Sequence, residues 1–143
     1  AAFEAISESE SLFISRGDNS GTHNKELAIW DEAGISPEGS WYREAGQGMG
    51  AVITIANNEL AYTLTDRGTY LAYRGEIDLG VVVEGDPLLF NPYAVIAVNP
   101  ERHPETQIDL AQDLIDYLVS DQGQQIIGSY TVEGEPLFTP DAD

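Results

Sequence analysis

One sequence feature constrains the fold of this chain more than any other. It is a short apolar run, followed by a polar turn and then by a helical segment. Residues 12–14 are typical of a buried strand, and residues 25–33 are typical of a helix that ends at Gly34. The turn between them, residues 15–23, carries Arg, Gly, Asp, Asn and Ser. A strand that enters a helix through such a turn directs several backbone N–H groups and the positive end of the helix dipole at one place. The pattern predicts either an anion site or an ordinary capped helix start.

The side chains of this turn favour the anion site over a simple cap. Arg16 presents a fork of charged donors that suits a tetrahedral oxyanion. Ser20 or Thr22 can cap the helix or donate a hydroxyl, and Gly21 allows a ligand to approach the backbone closely. We therefore predict that Arg16, Ser20, Gly21 and Thr22, with Ser15 at the end of the strand, bind an oxyanion.

The same stretch resembles the anion loop of periplasmic-type solute-binding proteins, in which Arg-x-Asp-x-Ser-Gly-Thr precedes a helix. Phosphate-binding proteins share that core pattern. The tungstate-binding component of ABC importers is a closer resemblance, because its pattern continues through further blocks over nearly the whole chain. In this sequence the blocks are residues 15–23, 25–26, 41–42, 44–50, 61–71, 83–87 and 90–93.

The resemblance implies an α/β fold of the periplasmic-binding-protein type II-like class, in which a mixed sheet is flanked by helices. Residues 1–88 would form one complete lobe with the oxyanion loop, and residues 89–143 the returning strand and C-terminal helices of the partner lobe. The family's N-terminal half-lobe, with its own Thr/Ser-rich ligand loop, is absent, so we expect a truncated chain. An incomplete second lobe would expose apolar surface, which predicts a homodimer or a domain exchange.

The function implied by the resemblance is capture of tungstate for the permease of an ABC transporter. Such a protein would be exported to the cell surface or the extracellular side, and the missing signal segment would fit a mature or truncated chain. Phosphate or molybdate as the ligand, and a sensor or interaction lobe that takes no part in transport, remain alternatives.

Four further side chains are cleft candidates. The orientation of Asp18 decides between ligands. If Asp18 faces the ligand, its carboxylate would accept the proton that phosphate retains. If Asp18 is turned onto Arg16 or backbone amides, the site would favour the tungstate dianion, which carries no proton. His23 either flanks the anion or packs and caps the helix. Thr65 and Arg67 lie in a second donor-rich segment, where a structural role is the alternative.

The composition excludes several classes of function. The chain has 25 acidic and 6 basic residues and a net charge of −19, so binding to a phosphate backbone is disfavoured. An acidic surface with a single lysine resembles that of halophilic proteins, the alternative being an acidic mesophilic protein. With no cysteine and two distant histidines, we expect no metal site, no cofactor and no catalytic residues.

The hydrophobic pattern elsewhere predicts alternating helices and strands. On the anion-loop helix, Leu27 and Trp30 are expected on the buried face. Further helices are expected at residues 1–10, 51–57, 70–73, 108–118 and 121–127, and strands at 41–44, 61–65, 79–84 and 93–98.

Overall fold

The computed structural model describes residues 2–142 and divides the chain into two compact units, Ala1–Phe90 and Asn91–Asp143. The first unit contains α1 (Ala2–Glu8), β1 (Phe13–Ser15), α2 (Gly21–Glu32), β2 (Tyr42–Glu44), α3 (Met49–Glu59), α4 (Arg67–Tyr73) and a 3₁₀ turn (Pro87–Leu89). The second contains α5 (Ile108–Val119), α6 (Asp121–Ser129), β3 (Thr131–Val132) and β4 (Glu135–Pro136). Among the described helices, none is long and apolar enough to cross a membrane.

Strand β1 lies at the centre of the first unit, because both of its faces are covered. Its Ile14 side chain packs with Met49 and Val52 of α3, whereas its Phe13 side chain packs with Ile6 of α1 and Trp30 of α2. β1 pairs in parallel with β2. A strand covered on both faces needs apolar residues at consecutive positions, which explains the uninterrupted run in the sequence.

Helix α2 starts after Ser20, one of the two caps that the sequence offers, and it ends before Gly34, as the sequence predicts. Ser20 is the N-cap, and its hydroxyl oxygen accepts a hydrogen bond from the amide of His23 at 3.3 Å. Gly34 follows the C-terminus with φ +67°, and the amide of Ile35 donates to the carbonyl of Trp30, as in a Schellman motif. These local contacts fix where the anion loop, residues 15–23, joins the helix.

The buried face of α2 differs from the prediction. Trp30 is buried, as expected, but Leu27 is 40% exposed. His23 and Glu26 are buried in its place, so the inward face consists largely of polar side chains. They are buried because β1, β2 and the loop supply hydrogen-bond partners there.

The strand predicted at residues 61–65 is reduced to a single bridge between Phe13 and Tyr62. The amide of Tyr62 donates to Leu12, and the amide of Ile14 donates to Tyr62. The ladder stops there because the hydroxyl of Thr63 donates to the carbonyl of Ile14, where the next strand amide would donate.

The strands predicted at residues 79–84 and 93–98 are wrong, since both segments are irregular. Val82 is 75% exposed and Ile96 is 84% exposed. Strand propensity alone does not form a strand, because the backbone also needs a neighbouring strand as a hydrogen-bonding partner. Within residues 2–142, neither segment pairs with one.

The second unit contains the two predicted C-terminal helices. Ser120 ends α5 and caps α6, since its hydroxyl oxygen accepts from the amide of Gly123 at 3.2 Å. β3 and β4 form a small antiparallel hairpin beside which the rings of Tyr93 and Phe138 meet edge to face. The apolar face of α5 is largely exposed, including Leu110 and Leu114.

Candidate anion-binding site

The first turn of α2 presents unused backbone donors. Among the described residues, the amides of Gly21 and Thr22 donate to no protein acceptor, as expected for the first positions of a helix. A Cβ added at Gly21 would meet nothing within 4 Å. The helix start is therefore open to a ligand that accepts hydrogen bonds.

Arg16 is oriented by a short ion pair with Asp18. Its Nη2 and Nε both donate to Oδ2 of Asp18, at 2.6 and 3.1 Å. The other carboxylate oxygen, Oδ1, accepts the amide of Ser20 at 3.1 Å. The carboxylate thus links the guanidinium to the helix start, while the remaining N–H groups of the guanidinium stay available for a ligand.

Asp18 remains a carboxylate over the whole physiological pH range. The side-chain hydrogen bond from Ser20, and then the hydrogen bond and charge of Arg16, lower the pKa of Asp18 to about 2. Both of its oxygens are engaged within the loop. This orientation, turned onto Arg16 and a backbone amide, is the one expected for a site that takes a fully deprotonated oxyanion.

His23 supports the loop from the inside of the helix. Its Nδ1 accepts a hydrogen bond from the amide of Asn19 at 3.0 Å, so in the neutral ring the proton resides on Nε2. Nε2 is buried without a hydrogen-bond partner among the described residues, and Oε1 of Glu44 lies 3.6 Å away. His23 therefore fixes Asn19, which has φ +58°, in the left-handed turn.

Ser15 ends β1 beneath the loop, but its hydroxyl is already used. The Ser15 hydroxyl donates to Oε2 of Glu26 at 2.7 Å and accepts the amide of Gly17 at 3.3 Å. Ser15 is also fully buried. In this conformation its hydroxyl supports the loop and is not directed at a ligand.

Glu26 is a site residue to which sequence reasoning gave no role. It appeared only as part of the motif at residues 25–26, and a charged residue within a helix is normally expected at the surface. Here it is buried and accepts hydrogen bonds from Ser15, Trp30 and Tyr42. No local signal in the sequence distinguishes it from an exposed glutamate.

Thr65 and Arg67 take part in contacts around the start of α4. The hydroxyl of Thr65 donates to the carbonyl of Asp66 at 3.2 Å, and Arg67 pairs with Glu84 at 3.1 Å. Asp66 caps α4 by accepting the amide of Thr69 at 2.8 Å. The cleft roles of Thr65 and Arg67 stay predictions.

Comparison with known protein families identifies the family of this chain. A family model described as a PBP superfamily domain matches residues 1–122, which is most of the sequence. The chain belongs to the PBP superfamily.

Three similar proteins have names that refer to tungstate or anion binding. The tungstate-binding protein TupA of Peptoclostridium acidaminophilum is 48% identical over 99% of this chain and 50% of its own length. A putative ABC transporter anion-binding protein of Haloferax volcanii is 47% identical over 99% of this chain and 43% of its own. The solved tungstate-binding protein TupA of Desulfovibrio alaskensis superposes with a TM-score of 0.87, at 40% identity, over 99% of this chain and 59% of that one.

These matches confirm the predicted PBP-like α/β fold class and the resemblance to tungstate-binding components of ABC transporters. The Haloferax relative also fits the halophilic composition. The chain spans about half the length of the curated relatives that it matches.

Proposed function

We propose that this PBP-superfamily chain captures a tetrahedral oxyanion, with tungstate as the preferred ligand, for an ABC transporter. The observation that supports this most is the arrangement at the start of α2. There the Arg16 guanidinium is tied through Asp18 to a helix start whose Gly21 and Thr22 amides have no protein acceptor among the described residues. The names of the tungstate-binding relatives support the choice of ligand.

In this proposal, each group has a distinct chemical role. Arg16 donates charged hydrogen bonds to two oxygens of the anion, and the Gly21 and Thr22 amides donate to the others. The hydroxyl of Thr22 completes the donor set, whereas the hydroxyl of Ser20 donates to Asp18 and its oxygen caps the helix. Each charged hydrogen bond in such a site contributes about 1.5–3 kcal/mol.

The position of Asp18 favours a bare dianion over phosphate. A carboxylate aimed at the ligand would accept the proton of hydrogen phosphate, but Asp18 is occupied by Arg16 and by Ser20. Its pKa of about 2 also prevents it from donating a proton to the anion near neutral pH. Tungstate and molybdate need no acceptor, so both fit this loop better than phosphate does.

The proposal is tested by isothermal titration calorimetry of the full-length protein in molar salt. The titrants are tungstate, molybdate, sulfate and phosphate. We expect tungstate to bind most tightly and Arg16→Ala to abolish binding. Arg102→Ala, at an exposed position in the second unit, is the matched loss of one arginine and should bind as the wild type does. Absence of binding by all four anions would refute the proposed function.

The cellular setting follows from the same proposal. An oxyanion-capturing PBP protein acts outside the cytoplasm, delivers its ligand to a membrane permease and catalyses no reaction.

A homodimer formed through the second unit is part of the proposal as well, since α5 exposes its apolar face. Light scattering at high protein concentration measures this, and a clean monomer would contradict it.

A further inference from the structure

Glu26 is a charged side chain that this fold buries in the helix bearing the anion site. It lies in the second turn of α2 and is only 1% exposed. A buried carboxylate is costly unless hydrogen bonds replace its lost water. We propose that Glu26 is a positioning residue, which orders the anion loop through Ser15. The inference rests on the proposed function, because it concerns affinity for the same ligand.

Three donors from three elements converge on the Glu26 carboxylate. Oε2 accepts the hydroxyl of Ser15 at the end of β1, at 2.7 Å. Oε1 accepts Nε1 of Trp30 at 3.1 Å and the hydroxyl of Tyr42, in β2, at 2.8 Å. Burial, followed by the neighbouring carboxylates of Glu26 and Glu44, raises the pKa of Tyr42, so its phenol remains a donor. The cluster matches an acceptor-only carboxylate.

The arm through Ser15 leads from this cluster into the anion loop. A serine hydroxyl has one proton, and here Glu26 receives it. A lone pair of the same oxygen then accepts the amide of Gly17 at 3.3 Å. Arg16 lies between Ser15 and Gly17, so the contact of the Gly17 amide with the Ser15 hydroxyl spans its backbone and restricts it.

This connection bears on affinity as well as on stability. A loop whose backbone is already ordered loses less conformational freedom when the ligand binds. Without the Glu26 carboxylate, the Ser15 hydroxyl would be free to rotate, and the Gly17 amide would lose its fixed acceptor. Arg16 would then sample orientations that do not bind the anion, and the folded protein would bind more weakly.

Two substitutions interrupt the arm at different points. Glu26→Gln keeps the shape of the side chain but exchanges one acceptor oxygen for a donor, whereas Ser15→Ala removes the link itself. We expect each to weaken tungstate binding about tenfold or more, measured by calorimetry well below the unfolding midpoint of every variant. Both substitutions interrupt the same connection from Glu26 through Ser15 to the loop. The tungstate affinity of the double variant should therefore lie within about threefold of that of the single variant that binds more weakly.

Two control variants separate positioning from a general loss of stability. Glu32→Gln makes the same chemical change at an exposed position of α2, and Ile53→Ala removes buried apolar volume in α3 without removing any hydrogen bond of the arm. Both should retain the wild-type affinity, although Ile53→Ala is less stable. In the ligand-free protein, hydrogen exchange of the Gly17 amide should be faster in Glu26→Gln than in Glu32→Gln.

The inference is overturned if Glu26→Gln and Ser15→Ala bind tungstate as the wild type does, or if Ile53→Ala weakens binding equally. A wild-type protein that binds none of the oxyanions refutes the proposed function instead. In that case, exchange of the Gly17 amide still decides whether Glu26 orders the loop. Unchanged exchange in Glu26→Gln would refute the ordering itself.

Discussion

Gly17 is the loop position at which a single methyl group should be most disruptive. Its φ is +58°, a left-handed conformation that L-residues with a side chain avoid. An added Cβ would also lie 2.5 Å from Cβ and 3.2 Å from Cα of Glu44. Glu44 cannot move away easily, because it pairs with Ser15 in the sheet and the next amide, of Ala45, donates to Ser15.

The expected cost of Gly17→Ala has two parts. The left-handed conformation costs an alanine about 1 kcal/mol, and the overlap with Glu44, chiefly with its Cβ, adds about 1–3 kcal/mol. We therefore expect the free energy of unfolding to fall by about 2–4 kcal/mol. Gly34→Ala is the matched control, because Gly34 has φ +67° but no atom within 4 Å of an added Cβ. It should cost only about 1 kcal/mol.

Equilibrium unfolding in urea at molar salt measures both values, with fluorescence of the buried Trp30 as the signal. In a double-mutant cycle, Glu44→Gly should recover most of the overlap cost, since it removes the Cβ that the new methyl group meets. The reasoning is refuted if Gly17→Ala costs no more than Gly34→Ala. It is also refuted if Glu44→Gly recovers nothing.

Three further measurements follow from the same structure. Ser20→Ala should lower the free energy of unfolding by about 1 kcal/mol and also weaken tungstate binding. Ser120→Ala, at the equivalent cap of α6, should cost as much stability but leave tungstate affinity unchanged. Equal effects of the two variants on affinity would contradict the placement of the anion site at the start of α2. The pKa of Asp18 is lowered from 3.8 to about 2, so its stabilising contribution is present above pH 3.8 and lost as the pH falls through about 2. The stability difference between wild type and Asp18→Asn in acid titrations should close over that interval, and a constant difference would argue against the pair. Raising salt from about 0.1 to 1 M shortens the Debye length from about 10 to 3 Å, so the midpoint of thermal unfolding should rise for a chain of net charge −19; an unchanged midpoint would contradict self-repulsion.

The parts of the fold that depend on residues close together in the sequence could be predicted from the sequence. The bounds of α2 follow from Ser20 as a cap and Gly34 as a terminator, and the amphipathic pattern of residues 108–118 indicates α5. The segments at residues 79–84 and 93–98 have strand propensity, but a strand also needs a partner from elsewhere in the chain. Propensity contains no information about whether that partner is present.

The candidate site divides in the same way. The donors of the loop could be predicted, because Arg16, Ser20 and the glycine turn lie within a few residues of one another. The burial of Glu26 could not, since it requires Tyr42, sixteen positions away, to approach the same helix face. The orientation of Asp18 was open between two possibilities, and only its contacts in the folded loop distinguish them.

The contacts of Asp18 also separate geometry from charge as the basis of anion binding. Arg16 and Asp18 together carry no net charge, and the whole chain carries −19, so an arriving dianion meets little long-range attraction. If charge dominated, Asp18→Asn would tighten binding by removing a negative group, and Arg16→Lys would be tolerated. If the fixed fork of donors dominates, as we expect, Asp18→Asn releases Arg16 and weakens binding, and Arg16→Lys fails because a lysine cannot donate to two oxygens in a planar fork. Calorimetry of both variants in molar salt distinguishes the two cases, and tighter binding by Asp18→Asn would refute the geometric explanation.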